Sequence, residues 1–173
     1  MKAKAGMVDL ERLALSSGGA ATLEFPAEPA PVAVGNETYA VPDERPLARL
    51  DVSRTTSGYA LRLRFASRLA GPCVRCLEPA EARLEIDARE VDQPGSDDEE
   101  LVSPYVSDGT LDAGRWLQDA IVLELPTRPL CRPDCAGLCP VCGQSLNEAD
   151  PEAHRHGKTG DPRMSRLKDL KLE

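Results

Sequence analysis

Four cysteines, Cys131, Cys135, Cys139 and Cys142, fall within twelve positions of the stretch LCRPDCAGLCPVCGQSLN (130–147). Thiols this dense constrain the fold strongly. They must be a disulfide framework, a redox centre or a metal site. Two more, Cys73 and Cys76 in GPCVRCLEP, complete a set of six cysteines in three pairs. The pairs Cys73/Cys76 and Cys139/Cys142 are C-x-x-C turns. In CPVCG the tight turn points two thiolates at one place, and the glycine after the second cysteine lets backbone amides approach the sulfurs.

Compartment separates the three chemistries. The N-terminus, MKAKAGMVDLERLAL, lacks the apolar run of a signal peptide, with Asp9 and Glu11 following at once. The longest uncharged apolar runs are far short of the ~20 residues that a membrane span needs. The expectation is a soluble, cytoplasmic protein with no membrane partner. Under reducing conditions clustered cysteines serve as metal ligands or redox groups more often than as structural disulfides. A thioredoxin-like centre opens a helix after a strand, whereas Pro79 and a strand pattern follow Cys76. Metal binding is therefore favoured.

Zinc takes four nitrogen or sulfur ligands in a tetrahedron. The chain has two histidines, His154 and His156, shortly after the last cysteine, and six cysteines with two histidines make eight ligands. The preferred division places Cys73, Cys76, Cys131 and Cys135 around one ion and Cys139, Cys142, His154 and His156 around the other. An alternative joins the two C-x-x-C turns and leaves Cys131 and Cys135 to the histidines. His-x-His is an awkward chelate, so one imidazole is allowed to be idle in a solvated loop. Fully ligated ions would be structural, one or two per chain, and would contribute folding free energy directly.

The remainder reads as short elements. Aromatic residues are 3% of the chain, with 15 prolines and 13 glycines, which argues for many turns rather than a helical bundle. LARLDV (47–52) predicts a strand, TTSG (55–58) a turn, and YALRLRF (59–65) alternates strictly with a basic outer face. ARLEIDARE (82–90) repeats the alternation, with Leu84, Ile86 and Ala88 inward. The two strands should pair antiparallel with the Cys73–Cys76 loop at their tip. DQPGSDDEE (92–100) predicts a flexible solvated loop. Residues 112–125 predict a helix capped by Asp112, with Trp116, Ala120 and Leu123 on one face. GDPRMSRLKDLKL predicts a short closing helix begun by Asp161 and Pro162.

Charge narrows the function. The net charge of −8 is concentrated in residues 90–124, which carry one basic and ten acidic groups. Residues 49–89 carry eight basic and five acidic groups. A bulk phosphate-neutralising protein would not look like this, so nucleic-acid contact must be local. Arg62, Arg64, Arg68 and Arg75 are the candidate surface for RNA or a protein partner, with plain solvated surface as the alternative. The acids at 97–100 lack the spacing of a cation site. No phosphate-binding glycine loop, nucleophile elbow or H-E-x-x-H pattern occurs, so neither an enzyme nor a small-molecule substrate is expected.

PCVRCL, LPTRPLCRPDCAGLCPVCGQSLN and the late DPRMSRLKDL resemble the YceD-like family, the large ribosomal RNA subunit accumulation proteins. RTTSGYALRLRF and LDAGRWLQDAIVLELP extend the match to roughly residues 47–172. In that family a C-x-C often follows the LN. Here His154-Arg155-His156 takes its place, which fits a second site with imidazoles instead of thiolates. The resemblance implies a bacterial cytosolic factor needed for large-subunit ribosomal RNA accumulation or processing, with no known catalytic activity. Its partners would be precursor large-subunit ribosomal RNA or a ribosomal or assembly protein.

The expected fold is α+β: an antiparallel sheet with one main helix and a C-terminal zinc-binding segment. Residues 1–46 would form an N-terminal arm or edge strand. Residues 47–126 would form the sheet and helix core, and 127–173 the zinc-stapled segment with its short helix, all in one compact domain. The expected function is a non-catalytic zinc-binding ribosome-biogenesis factor. The alternative is a zinc-stapled interaction module, chaperone-like for a basic ribosomal protein and without RNA contact.

Overall fold

The computed structural model describes residues 6–42, 45–150, 154 and 156. The closing helix expected near Asp161 lies outside the described residues. The architecture is mostly antiparallel sheet with one main helix. Its centre is a hairpin of two long strands, β6 (Tyr59–Pro72) and β7 (Pro79–Asp92). Every residue of one has a register partner on the other, from Tyr59 opposite Asp92 to Pro72 opposite Pro79. Fourteen residues of strand make an arm of about 45 Å.

β5 (Leu47–Arg54) pairs with β6, and β2 (Ala20–Pro26) pairs with β5, giving a four-stranded sheet in the order β2-β5-β6-β7. The TTSG turn closes β5 to β6 through the Thr55 amide donating to the Gly58 carbonyl at 2.9 Å. β3 (Val32–Val34) and β4 (Glu37–Tyr39) form a small ribbon, tied to β6 by a bridge between Ala40 and Ala70. β1 (Met7–Asp9), β8 (Val106–Ser107) and β9 (Thr110–Asp112) form a third sheet in the order β1-β9-β8.

The period of two sorts the sheet faces. Phe25, Leu50, Val52, Leu61, Leu63, Phe65, Leu84 and Ile86 are buried on one face. Against them lies α1 (Ala113–Glu124), begun by the Asp112 carboxylate accepting from the Arg115 amide at 2.9 Å. Ala113, Trp116, Leu117, Ala120 and Ile121 form its buried stripe. Leu123, assigned to that stripe from the sequence, is 85% exposed. At 3.6 residues per turn it stands roughly 90° from the stripe's centre, past the helix's contact with the sheet. Residues 92–100 also hold a piece of local structure that their composition did not imply. Glu99–Leu101 make a 3-10 turn, with the Asp98 carboxylate accepting from the Glu100 amide. Among the described residues no helix is long and apolar enough to cross a membrane.

The other face of the sheet is a charge lattice. Arg62 makes a two-point contact with Asp87, at 2.7 and 2.6 Å, from the neighbouring strand. Asp51 accepts from the Thr22 hydroxyl at 2.7 Å, from Arg64, and from Arg49 Nε at 3.1 Å. The Thr22 hydrogen bond leads these partners in holding the Asp51 carboxyl down at about 2, against the opposing effect of burial. A depressed folded-state pKa contributes stability above the unfolded value near 4 and loses it as pH falls through the folded value. Asp51→Asn should therefore cost about 1–2 kcal/mol at pH 7. The gap from the parent chain, read by urea unfolding, should close between about pH 4 and pH 2.

Candidate metal centre

The hairpin tip is built to aim sulfur. β6 and β7 end on facing prolines, and the six residues between them close a tight turn. In it the Cys73 amide donates to the Glu78 carbonyl at 2.7 Å and the Leu77 amide to the Cys73 carbonyl at 3.0 Å. Tyr39 packs flat on Gly71, where a Cβ would come within 2.3 Å of the ring, and its hydroxyl donates to the Pro72 carbonyl at 2.6 Å. These contacts fix the strand just before Cys73.

The segment after α1 folds back onto this tip. The Val74 amide donates to the Pro129 carbonyl at 3.0 Å, and Arg75 Nη1 to the Cys135 carbonyl at 2.5 Å. Cys131 and Cys135 thereby meet Cys73 and Cys76. The Sγ atoms of Cys73 and Cys135 are 3.7 Å apart, those of Cys76 and Cys131 3.5 Å, and all four lie within 4.8 Å of one another. A disulfide would need about 2.05 Å. A tetrahedron of sulfurs at the zinc–sulfur bond length has edges of about 3.8 Å. The donor set and spacing therefore fit a tetrahedral thiophilic ion.

The electrostatics of the group agree. Burial acts to raise the Cys73 thiol, but backbone amides of Arg75, Cys131 and Cys76 outweigh it and hold the group down at about 6. Burial and the neighbouring thiols push Cys131 up to about 12, and burial raises Cys76. Four such groups cannot all ionise without a cation among them. A divalent ion is the group that would allow it.

A second group forms beside the first. In the Cys139–Cys142 turn the Cys139 amide donates to the Gln144 carbonyl at 2.8 Å and the Gly143 amide to the Cys139 carbonyl at 2.9 Å. The residue after the second cysteine is left-handed in both turns, at Gly143 (φ 72°) and Leu77 (φ 63°). Glycine takes this conformation freely, and leucine does not. His154 Nδ1 lies 3.6 Å from Cys142 Sγ. The His156 amide donates to the His154 carbonyl at 2.8 Å, a tight turn that brings both rings to one side with centroids 5.7 Å apart. This turn overcomes the awkwardness expected of His-x-His. Ligand atoms of Cys139, Cys142, His154 and His156 lie within 4.8 Å of one another, and His156 Nε2 is buried with no hydrogen-bond partner. A buried imidazole nitrogen without a partner is what a metal ligand looks like before its ion is counted. The backbone amides of Cys142 and Val141, helped by His154, hold the Cys139 thiol down at about 6.

Both groups could thus hold a metal ion. The structure brings together the cysteines and histidines in the preferred division and does not join the two C-x-x-C turns into one site. The four arginines are more dispersed. Arg62 and Arg64 are bound into the charge lattice, Arg75 is spent on the Cys135 carbonyl, and Arg68 reaches Glu81 at 3.9 Å. Sequence reasoning missed Asn147. Its Oδ1 accepts from the Ala136 amide at 2.8 Å, its carbonyl accepts from Arg132, and its Nδ2 lies 3.6 Å from Cys135 Sγ. The invitation was present in GQSLN, since asparagine readily bonds local backbone.

A family model described as "Large ribosomal RNA subunit accumulation protein YceD" matches residues 61–171. Proteins of Mycobacterium bovis and Mycobacterium tuberculosis, described only as uncharacterized, are 35% identical over 170 residues, spanning 94% of this chain and 80% of theirs. A Mycobacterium leprae protein with the same description is 37% identical over 103 residues, 57% of this chain and 46% of its own. No solved structure matches. Asn147→Ala would remove the hydrogen bond to the Ala136 amide and the part-buried contact with Cys135 Sγ. It should lower stability by about 1–2 kcal/mol in thermal unfolding. It should also speed the reaction of Cys131 and Cys135 with a thiol reagent while leaving Cys142 unchanged.

Proposed function

Because the chain belongs to the family of large ribosomal RNA subunit accumulation proteins, we propose that it is a non-catalytic, zinc-binding ribosome-biogenesis factor that supports accumulation or processing of large-subunit ribosomal RNA. The observation that carries the zinc assignment is the two four-ligand groups at tetrahedral spacing. Cysteine and histidine donors select zinc over hard cations such as magnesium, which take oxygen. Each group offers four protein ligands, which leaves no open position for a reacting water. The ions then act as staples, fastening residues 130–147 and the histidines to the hairpin tip.

In this reading the protein acts by binding, in the compartment where ribosomes are assembled, on precursor large-subunit RNA or on a protein bound to it. The runner-up is a module that shields a basic ribosomal protein. It is favoured by the acidic segment 90–124, whose Glu99 and Glu100 lie in an exposed 3-10 turn. Sedimentation of native lysate with and without RNase decides between them. Co-migration with immature large subunits that RNase abolishes supports the RNA reading. Nuclease-resistant binding to a basic protein, weakened by deleting residues 92–100, supports the runner-up.

The metal assignment has its own measurement. Elemental analysis of the purified chain should find two zinc ions. Cys135→Ser should lose one and Cys139→Ser the other, each leaving its neighbour in place. A chelator strong enough to strip both should lower the unfolding temperature, because the binding free energy is part of the folding free energy. Substoichiometric metal, or thiols that oxidise without loss of stability, would remove zinc from the account.

A further inference from the structure

The two four-ligand groups have the same number of donors and differ in how they are sealed. In the first, Cys73, Cys76 and Cys135 are buried and Cys131 is half-buried. Ala80, Leu130 and Leu138 pack around these sulfurs as a small apolar cluster. The Arg75 amide lies 3.4 Å from Cys73 Sγ, and Asn147 Nδ2 lies 3.6 Å from Cys135 Sγ. A dissolved reagent meets little of this sulfur. The second group lacks such a cover. Cys139 is buried, but among the described residues it belongs to neither apolar cluster. Cys142 is exposed, and Val141 beside it is 70% exposed. His154 and His156 are half-buried. Cys139 and Cys142 also share one short turn, closed by the Gly143 amide donating to the Cys139 carbonyl, and their sulfurs lie within 4.8 Å of each other. The second group therefore joins an accessible sulfur to a neighbour able to react with it.

We propose that Cys139 and Cys142 are an oxidation site: hydrogen peroxide joins them in a disulfide and the ion held with His154 and His156 is lost, while Cys73, Cys76, Cys131 and Cys135 keep theirs. This goes beyond the zinc reading above and rests on it. Cys142 Sγ, as the thiolate that a metal ligand must be, attacks one peroxide oxygen. The S–O bond forms, the O–O bond breaks, and hydroxide leaves to become water. The Cys139 thiolate then attacks Cys142 Sγ. The S–S bond forms, the S–O bond breaks, and a second hydroxide leaves. The two sulfurs give up two electrons, and peroxide takes these with two protons from solvent to make two waters. A disulfide sulfur carries no negative charge. The donors that remain are two imidazoles, too few for a tetrahedral site. The His154–His156 turn then loses its fastening to the Cys139–Cys142 turn, so the state of one thiol pair decides whether the chain beyond it is tied to the rest of the molecule. At the hairpin tip the apolar cluster and the hydrogen bonds to sulfur hold the first group closed against the same reagent.

The test uses the full zinc-loaded chain, a small excess of hydrogen peroxide and a colorimetric zinc chelator. One ion per chain should be released at least about tenfold faster than the other, because access to the thiolate sets the rate. When the fast phase is complete, unfolding and alkylation should leave Cys139 and Cys142 unlabelled and the other four cysteines labelled. A dithiol with added zinc should restore the parent. Trypsin should cut after Arg155, between the two histidines, faster in the oxidised chain than in the reduced one. Cys142→His keeps a nitrogen donor and removes the disulfide, so its fast phase should vanish. Where that variant starts with one ion fewer, the alkylation map of the parent decides alone. Release of both ions together, release of the hairpin-tip ion first, or labelling of Cys139 and Cys142 after the fast phase would each overturn the oxidation site and leave the zinc reading standing. An unchanged fast phase in Cys142→His would do the same. A parent chain that holds no zinc before peroxide is added would remove the zinc reading and this inference with it.

Discussion

The unbroken pairing of β6 with β7 is the constraint on which the rest of the molecule depends. Fourteen register pairs run from the Thr55–Gly58 turn to the facing prolines at the tip. Because side chains alternate along a strand, one register choice sets three things at once. It sends Leu61, Leu63, Phe65, Leu84 and Ile86 to the core. It lays Arg62, Arg64, Asp87 and Arg89 on the open face. It also leaves Cys73 and Cys76 in the six-residue turn where the strands stop. A slip of one residue would exchange the faces and bury the arginines.

The tip is a second, much smaller apolar cluster. Cys73, Cys76, Ala80 and Cys135 are its buried members, with Leu130, Cys131 and Leu138 packed around them. A cluster of this size removes too little apolar surface from water to hold a loop rich in proline and glycine. Its sulfurs sit at the spacing of a tetrahedral ion and not of a disulfide. The segment after α1 is thus short of core and rich in ligands, and a bound ion would supply what the core does not.

Charge is arranged by the same sheet. Across its open face Arg62, Arg64 and Arg68, read from the sequence as a basic surface, are matched by Asp87, Asp51 and Glu81. At the far end of the hairpin the alternation turns inward on polar residues: Asp92 is buried and its carboxyl is raised by that burial, with the Ser103 amide as its partner. Nothing in the composition of DQPGSDDEE distinguishes this buried acid from the exposed ones after it.

What the sequence determined by itself was local. The alternation in YALRLRF and ARLEIDARE specified strands, Asp112 and Pro126 bounded a helix, and each C-x-x-C specified a turn, because period, capping and turn chemistry act over a few residues. What tertiary structure decided was every choice of distant partner. Cys73 meets Cys135 across 62 positions of sequence, Arg64 meets Asp51, Asn147 supports Cys135, and Leu123 is left in water on the flank of the helix. The weakly patterned β1 and β2 form strands by pairing with the edges that β9 and β5 offer. The reason is common to all of these. Spacing along a chain dictates the direction in which a side chain points, but which group it reaches depends on strand register and on loops closing between elements far apart in sequence.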